Sequence, residues 1–305
     1  MMSAAAINST DASRTEGAAS DRLIGMSRLA AWWTLYVLTL RQHLHGKRWM
    51  ALALLFLLPA GLAILIRLAE PTPPPRLLEF VLAWLLVPQA LLPLVALLYA
   101  SGIVQDEQEE QTITYLLTRP IAKWQLYIIK MAATWTTTVV LVIVLTGLTF
   151  AAVYAMRDVD FTAAAWRWLK SAAILSLAAI TYCSIFGAMS LLMKRTLIIG
   201  ILYIAIVEGL LATFPLSLRW GTVVYHTRLV AYRTLDFTVT WPRGDQHDVA
   251  ATAWILNIED DPTLAEHPEF STSILLLLGA SVVCTALAAW ICLQREFHVK
   301  TPEKD

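Results

Sequence analysis

Charge is what this 305-residue chain has least of: Asp, Glu, Lys and Arg make up 15% of it and cancel to a formal net charge of zero, while apolar residues make up 58%. Soluble domains average about 25% charged and 45–50% apolar residues, so a soluble fold of this size could not hide that much apolar surface. With no basic field and no RNA-binding or zinc-finger spacing, nucleic acid is excluded as a partner. The six histidines are scattered, and the closest pair, His43 and His45, faces different sides of a helix, so no metal-ligating set is present. Cys183, Cys284 and Cys292 all fall inside apolar runs, which argues against a disulfide framework and for small-residue packing. The chain also lacks a phosphate-cradling loop: its only Gly-Lys, Gly46-Lys47, is followed by Arg48 and has no Gly at the required upstream position. No cofactor is therefore expected on this chain, and no catalytic residues are assigned.

What is present is a series of long uncharged runs. Phe80 to Val104 and Met131 to Met156 carry no charge at all, and a helix of about 20 apolar residues crosses a bilayer. Trp49 to Ile66, Ser171 to Met193, Thr196 to Leu218 and Phe270 to Gln294 complete six candidate spans, so the fold class is all-α integral membrane. Pro88 and Pro93 predict a kink in the second span unless neighbouring helices satisfy the freed carbonyls. Residues 1–26, rich in Ala, Ser and Thr, read as a disordered cytoplasmic tail. Over 27–46, Leu29, Trp32, Trp33, Tyr36, Val37, Leu40 and Leu44 recur at three and four, which predicts an amphipathic helix lying in the membrane interface. Residues 47–305 form the six-span domain.

Lys and Arg fix the orientation. With both termini cytoplasmic, Lys47, Arg48, Arg119, Lys123, Lys130, Lys194, Arg195, Arg295 and Lys300 collect inside. The acidic 216–270 segment then becomes a long extracytoplasmic loop between spans five and six. Arg157, Arg167 and Lys170 are mild exceptions on the other short outer loop.

The polar segment between spans two and three is the most distinctive feature. Its core, 105–125, holds Asp106, Glu107, Glu109 and Glu110, then Arg119 and Lys123, with Lys130 opening the next run. The order Glu107-x-Glu109-x-x-Thr112, Leu116-Leu117-Thr118-x-Pro120-Ile121-x-Lys123 resembles the signature of the type-2 family of ABC transporter permeases. That signature reads E-x-E-x-G-T-L-x-x-L-L-[ST]-x-P-[IV]-x-R, with Gly-Lys at the next helix. Gln111, Lys123 and Ile129 stand where the family has Gly, Arg and Gly. The six-span layout with a sizeable outer loop is similar to permeases linked to nitrous oxide reductase maturation.

The resemblance implies an elbow helix at 27–46 and a cytoplasmic coupling helix at 105–125. It also implies a dimer with a second permease copy, two copies of a separate ABC ATPase that binds ATP and Mg, and export across a bacterial plasma (inner) membrane. Glu107, Glu109 and Glu110 would offer carboxylates to the ATPase, Leu116 and Leu117 an apolar face, and Pro120 the stop; Thr112, Lys123 and Lys130 complete the motif. An enzyme is not expected, since no H-E-x-x-H, G-x-S-x-G or intramembrane Asp pair occurs. A non-transporting anchor for an extracytoplasmic complex would leave the 101–130 segment without purpose.

Glu208 is the one ionisable residue deep in an apolar run, roughly 18 Å past Thr196 along a straight helix. Such a carboxylate is costly in lipid and faces a bundle interior, which makes it a candidate for the substrate path. Gly209 and Pro215 beside it point equally to a broken fifth helix.

Overall fold

The computed structural model describes residues 29–44, 47–68, 73–109, 122–155, 160–193, 195–213, 217–241, 245–254 and 267–294. Helix α1 covers 29–44 and α2 covers Lys47–Leu68. Helix α3 is one rod in three pieces: an α-helical turn Pro75–Glu79, a π-helical stretch Phe80–Leu91 and an α-helix Leu92–Glu109. Pro88, expected to kink this span, sits inside the π-helical stretch. Helices α4, Lys123–Tyr154, and α5, Phe161–Leu192, follow. Helix α6 is α-helical over Thr196–Tyr203 and π-helical over Ile204–Leu211. A 3-10 turn, Ser217–Gly221, leads to α7, Val223–Thr234. The antiparallel strands β1, Thr238–Thr240, and β2, Gln246–Asp248, pair Val239 with His247. Helix α8, Val249–Ala253, and α9, Phe270–Gln294, close the described chain.

The expected all-helical class holds apart from that small hairpin. Among the described residues, four helices are long and apolar enough to cross a membrane: Pro75–Ile103, Lys123–Tyr154, Phe161–Leu192 and Phe270–Gln294. The apolar stretches Leu52–Leu68 and Thr196–Leu211 are shorter.

Helix α5 is the axis of the bundle and packs along α3, α4 and α9. Its buried positions include Ala172, Ala178, Ala179, Ser184, Gly187 and Ser190, the small residues that let helices approach where no hydrophobic effect drives them together. At Gly187 an added Cβ would stand 2.2 Å from the Met131 methyl and 2.9 Å from the Tyr127 hydroxyl, so the glycine leaves room for these two side chains of α4 against α5. Gly200 does the same for α6, where a Cβ would meet Leu97 at 2.2 Å. Threonines line the inner face of α4 with their hydroxyls bonded back to the preceding turn: Thr134 to the Lys130 carbonyl at 3.0 Å and Thr138 to that of Thr134 at 2.8 Å. Polar side chains are tolerated there because the helix itself satisfies them. The three cysteines are free, with Cys183 and Cys292 buried, as the packing expectation has it.

Helix α1 lies across this bundle. The Tyr36 hydroxyl donates to Thr136 at 2.9 Å and His43 Nδ1 pairs with the Thr137 hydroxyl at 3.2 Å. Both bonds reach a single turn of α4. The apolar stripe read from the sequence is split: Leu29, Trp33 and Leu44 are exposed, Trp32, Tyr36, Val37 and Leu40 are half-buried, and Leu35 and Thr39 beside it are buried. Exposed apolar side chains on such a helix suit a membrane interface. The tail 1–26 lies outside the described residues.

Candidate functional site: an interrupted helix and the root of the polar segment

Helices α6 and α7 form one interrupted helix. Along α3 their contacts advance steadily: Gly200 meets Leu97, Arg228 reaches Gln89, and Phe237 and Asp236 arrive at Phe80 and Arg76. Along α5 the order is Tyr203 against Phe186, then Asp236 at Arg167. The sequence placed a loop from 216 onward, but Val223 to Ala231 is an unbroken row of buried residues packed on α5 and α9. Within the segment read as an outer loop, α7 thus packs against the bundle, and the hairpin follows it. Periodicity could have shown this had the buried polar residues His226, Thr227 and Arg228 not depressed the hydropathy of α7.

Glu208 sits at the interruption. Its carboxylate is fully buried and accepts from the Val223 amide at 3.1 Å, the Val224 amide at 2.9 Å and the Tyr203 hydroxyl at 3.1 Å. Thr222 Oγ1 takes the next amide, that of Tyr225, at 3.4 Å. The first three amides of α7 are thereby all bonded, two of them by the carboxyl supplied from the preceding half-helix. A helix N-terminus carries partial positive charge, so a carboxylate is the side chain best suited to that place. Nearby, Arg228 Nη2 donates to Gln89 Oε1 at 2.8 Å and its guanidinium lies 5.8 Å from the Trp254 ring centre. Gln89 and Glu208 belong to the two π-helical stretches, a geometry frequent at functional sites.

Beyond the interruption, Phe237 packs edge-on against Phe80 and Trp84, with Trp254 closing the cluster. Asp236 folds the approach to β1 by accepting from Thr238 N at 3.0 Å and its hydroxyl at 2.7 Å, and bonds Arg76 at 2.8 Å. Those Thr238 bonds, seconded by Arg76, hold its carboxyl below the usual range. At the start of the segment leading into α9, His267 Nδ1 pairs with the Tyr225 hydroxyl at 2.7 Å, and burial together with Arg219 and Arg233 pushes the imidazole pKa down.

At the same end, Arg167 makes a bidentate pair with Glu79, 3.0 and 2.9 Å, and donates to the Asp236 carbonyl at 2.9 Å. Tyr154 also donates to Glu79. The basic residue that violated the charge rule is thus a paired one. Sequence reasoning missed this site because Glu79 stands one residue outside an apolar run, where a carboxylate attracts no notice.

At the opposite end the polar segment has its root. Lys130 is buried in α4 and its ammonium donates to the Ile103 carbonyl of α3 at 3.4 Å, tying together the helices that enter and leave the segment. Lys123 opens α4. Glu107 and Glu109 fall in the last turns of α3, while Glu110, Thr112, Leu116, Leu117 and Pro120 lie outside the described residues. The structure therefore brings Lys130 to the root of the segment and places Glu208 elsewhere, nearer the middle of the bundle. Among the described residues no group of His, Cys, Asp and Glu could hold a metal ion.

Among the described residues, four span-length apolar helices packed around an apolar core support a membrane-embedded protein. A model of the ABC-2 family transporter proteins matches residues 44–212, more than half of the chain, and the chain belongs to that family. It is accordingly a membrane subunit of the transporter type, not itself catalytic, from a family that works with an ABC ATPase. No curated protein matches the chain.

Proposed function

We propose that this chain is the permease half of an ATP-driven exporter, working as a dimer with two copies of a separate ABC ATPase. Six spans result when α2 and the tandem α6–α7 are added to the four span-length helices. The two eight-residue pieces of α6 reach only about 24 Å, short of a hydrocarbon core of about 30 Å, and the twelve residues of α7 supply the remainder. Both termini and the 105–125 segment are then cytoplasmic, and the β1–β2 hairpin and α8 sit on the outer face of a bacterial inner membrane. A specific link to nitrous oxide reductase maturation belongs to this reading as its narrowest form.

One observation carries the coupling role: the Lys130–Ile103 tie makes α3 and α4 a joined lever at the base of the acidic segment. A push on Glu107, Glu109 or Glu110 from a basic ATPase groove would move two long rods together, with Leu116 and Leu117 as the apolar contact and Pro120 as the turn. Thr112, Lys123 and Lys130 fix the segment's fold and root. Glu208 serves the path as the joint of the interrupted helix, since its oxygens are occupied by backbone and Tyr203 donors. The test is copurification with the ATPase, followed by its ATPase activity. Glu107→Lys/Glu109→Lys/Glu110→Lys is expected to abolish copurification while leaving the permease folded. Normal copurification of that variant would remove the coupling role.

A further inference from the structure

The turn Ser217–Gly221 shows two apolar side chains to the outside and keeps a cation between them: Leu218 is 62% and Trp220 43% exposed, while Arg219 is buried. The Arg219 guanidinium lies 4.8 Å from the centre of the Tyr225 ring, and the Tyr225 hydroxyl pairs with His267 Nδ1 at 2.7 Å. Other arginines of this half of the molecule have acceptors: Arg167 pairs with Glu79, Arg76 with Asp236, and Arg228 donates to Gln89. Among the described residues no carboxylate pairs with Arg219. Arg233, about two turns beyond Tyr225 on α7, is exposed, and the charges that act on His267 are those of these two arginines. The cluster is therefore positive, with no acid of the described residues to balance it.

Its depth follows from α9. His267 stands three residues ahead of that helix, whose 25 residues measure about 37 Å and exceed a hydrocarbon core of about 30 Å, so the cluster lies at the headgroup layer. The exposed Trp220 suits that layer, and the exposed Phe270, Leu275 and Leu276 of α9 face the acyl chains beneath it.

We propose that Arg219 and Arg233 form a phosphate site for an anionic phospholipid of the leaflet at the N-terminal end of α9, with Leu218 and Trp220 against its first acyl carbons. A guanidinium matches two phosphate oxygens with parallel N–H bonds, and Tyr225 holds the Arg219 fork from one side. The apolar side chains flanking Arg219 favour a lipid phosphate over a free one, and a cluster without an acid has nothing to receive a headgroup ammonium. The site rests on the membrane placement of α9, not on the transport reading, and its test needs no ATPase.

Native mass spectrometry of the full chain in detergent, after exposure to equal phosphatidylglycerol and phosphatidylethanolamine, reads the retained lipid. Phosphatidylglycerol is expected to persist over phosphatidylethanolamine, and Arg219→Gln to cut its retention about tenfold, the loss of one charge-assisted contact. Lys170→Gln removes another cation set on an aromatic ring, that of Trp166, and is expected to leave retention unchanged. Thermal melting separates the two phosphate sources: phosphatidylglycerol raises the melting temperature of the parent, and inorganic phosphate does not. Should Arg219→Gln fail to fold, Arg233→Gln, at an exposed position, has to lower retention several-fold. Equal retention in parent and Arg219→Gln, an equal loss in Lys170→Gln, no lipid retained by the parent, or equal stabilisation by inorganic phosphate overturns the proposal.

Discussion

Two carboxylates buried to the same degree, Glu79 and Glu208, are held in opposite ways. Glu79 is neutralised by a full charge, the bidentate Arg167, and by the Tyr154 hydroxyl. Glu208 meets no cation directly and is held by two backbone amides and a phenol. The first joins separate elements, α3 to α4 and α5, and reaches the Asp236 backbone. The second joins two halves of one helix. A cation's partner fixes packing between rods, whereas a helix terminus fixes where a rod is interrupted, so the two sites fail differently when cut.

The largest effect is expected at Glu79. Glu79→Ala leaves Arg167 buried without its partner, which costs about 3–5 kcal/mol and should show as a large fall in thermal stability in detergent. The double variant Glu79→Leu/Arg167→Met removes both charges and is expected to regain most of the loss. Glu208→Ala removes the acceptor of two amides at the start of α7, a helix-cap loss of about 0.5–2 kcal/mol. Glu208→Gln, with one acceptor oxygen, is expected to lie between Ala and the parent, and a transport assay of the assembled complex separates its role as joint from simple stability. A Glu208→Ala loss larger than that of Glu79→Ala would invert the comparison.

Smaller effects sharpen it. Gln89→Leu strips the Arg228 guanidinium of a buried acceptor and is expected to cost about 1–3 kcal/mol, loosening α7 from α3 in hydrogen exchange. The pair Arg76–Asp236 has the same chemistry as Glu79–Arg167 but is exposed, so Arg76→Gln is expected to cost under about 1 kcal/mol and to matter less in high salt. His267 supplies a pH signature. Its folded pKa lies below the unfolded value, so stability is full above about pH 6.5 and declines as falling pH protonates the unfolded chain first. Melting between pH 7.5 and 5.5 should show that decline, reduced in His267→Gln. Asp236 acts with the same sign in a lower window: its depressed pKa contributes stability above about pH 4 that is lost on further acidification, and none of the change seen near neutrality.

Much of the architecture was legible because lipid imposes length and apolarity on any helix that crosses it. The runs beginning at Phe80, Met131, Ser171 and Phe270 each became a span-length helix. The sequence also flagged the break near Gly209. Hydropathy could not show which helices are central: of the four described spans α9 is the most apolar and the most exposed, while α5 is the least apolar and mostly buried. In a bilayer the greasier face meets lipid and small or polar residues mark the interior. For the same reason hydropathy gave no sign of α7, whose buried face carries His226 and Arg228. Lys130 was found by motif, and its task at the root is geometric: only the fold puts Ile103 beside it.

The central claim is that the 105–125 segment is the cytosolic contact with an ATPase. Glu109→Cys, in a background whose native Cys183, Cys284 and Cys292 are replaced by Ser, allows site-directed crosslinking in the isolated complex. The account predicts a permease–ATPase crosslink from that position and no labelling of it by an impermeant thiol reagent added to intact cells. Labelling from outside, with no crosslink to the ATPase, would contradict it.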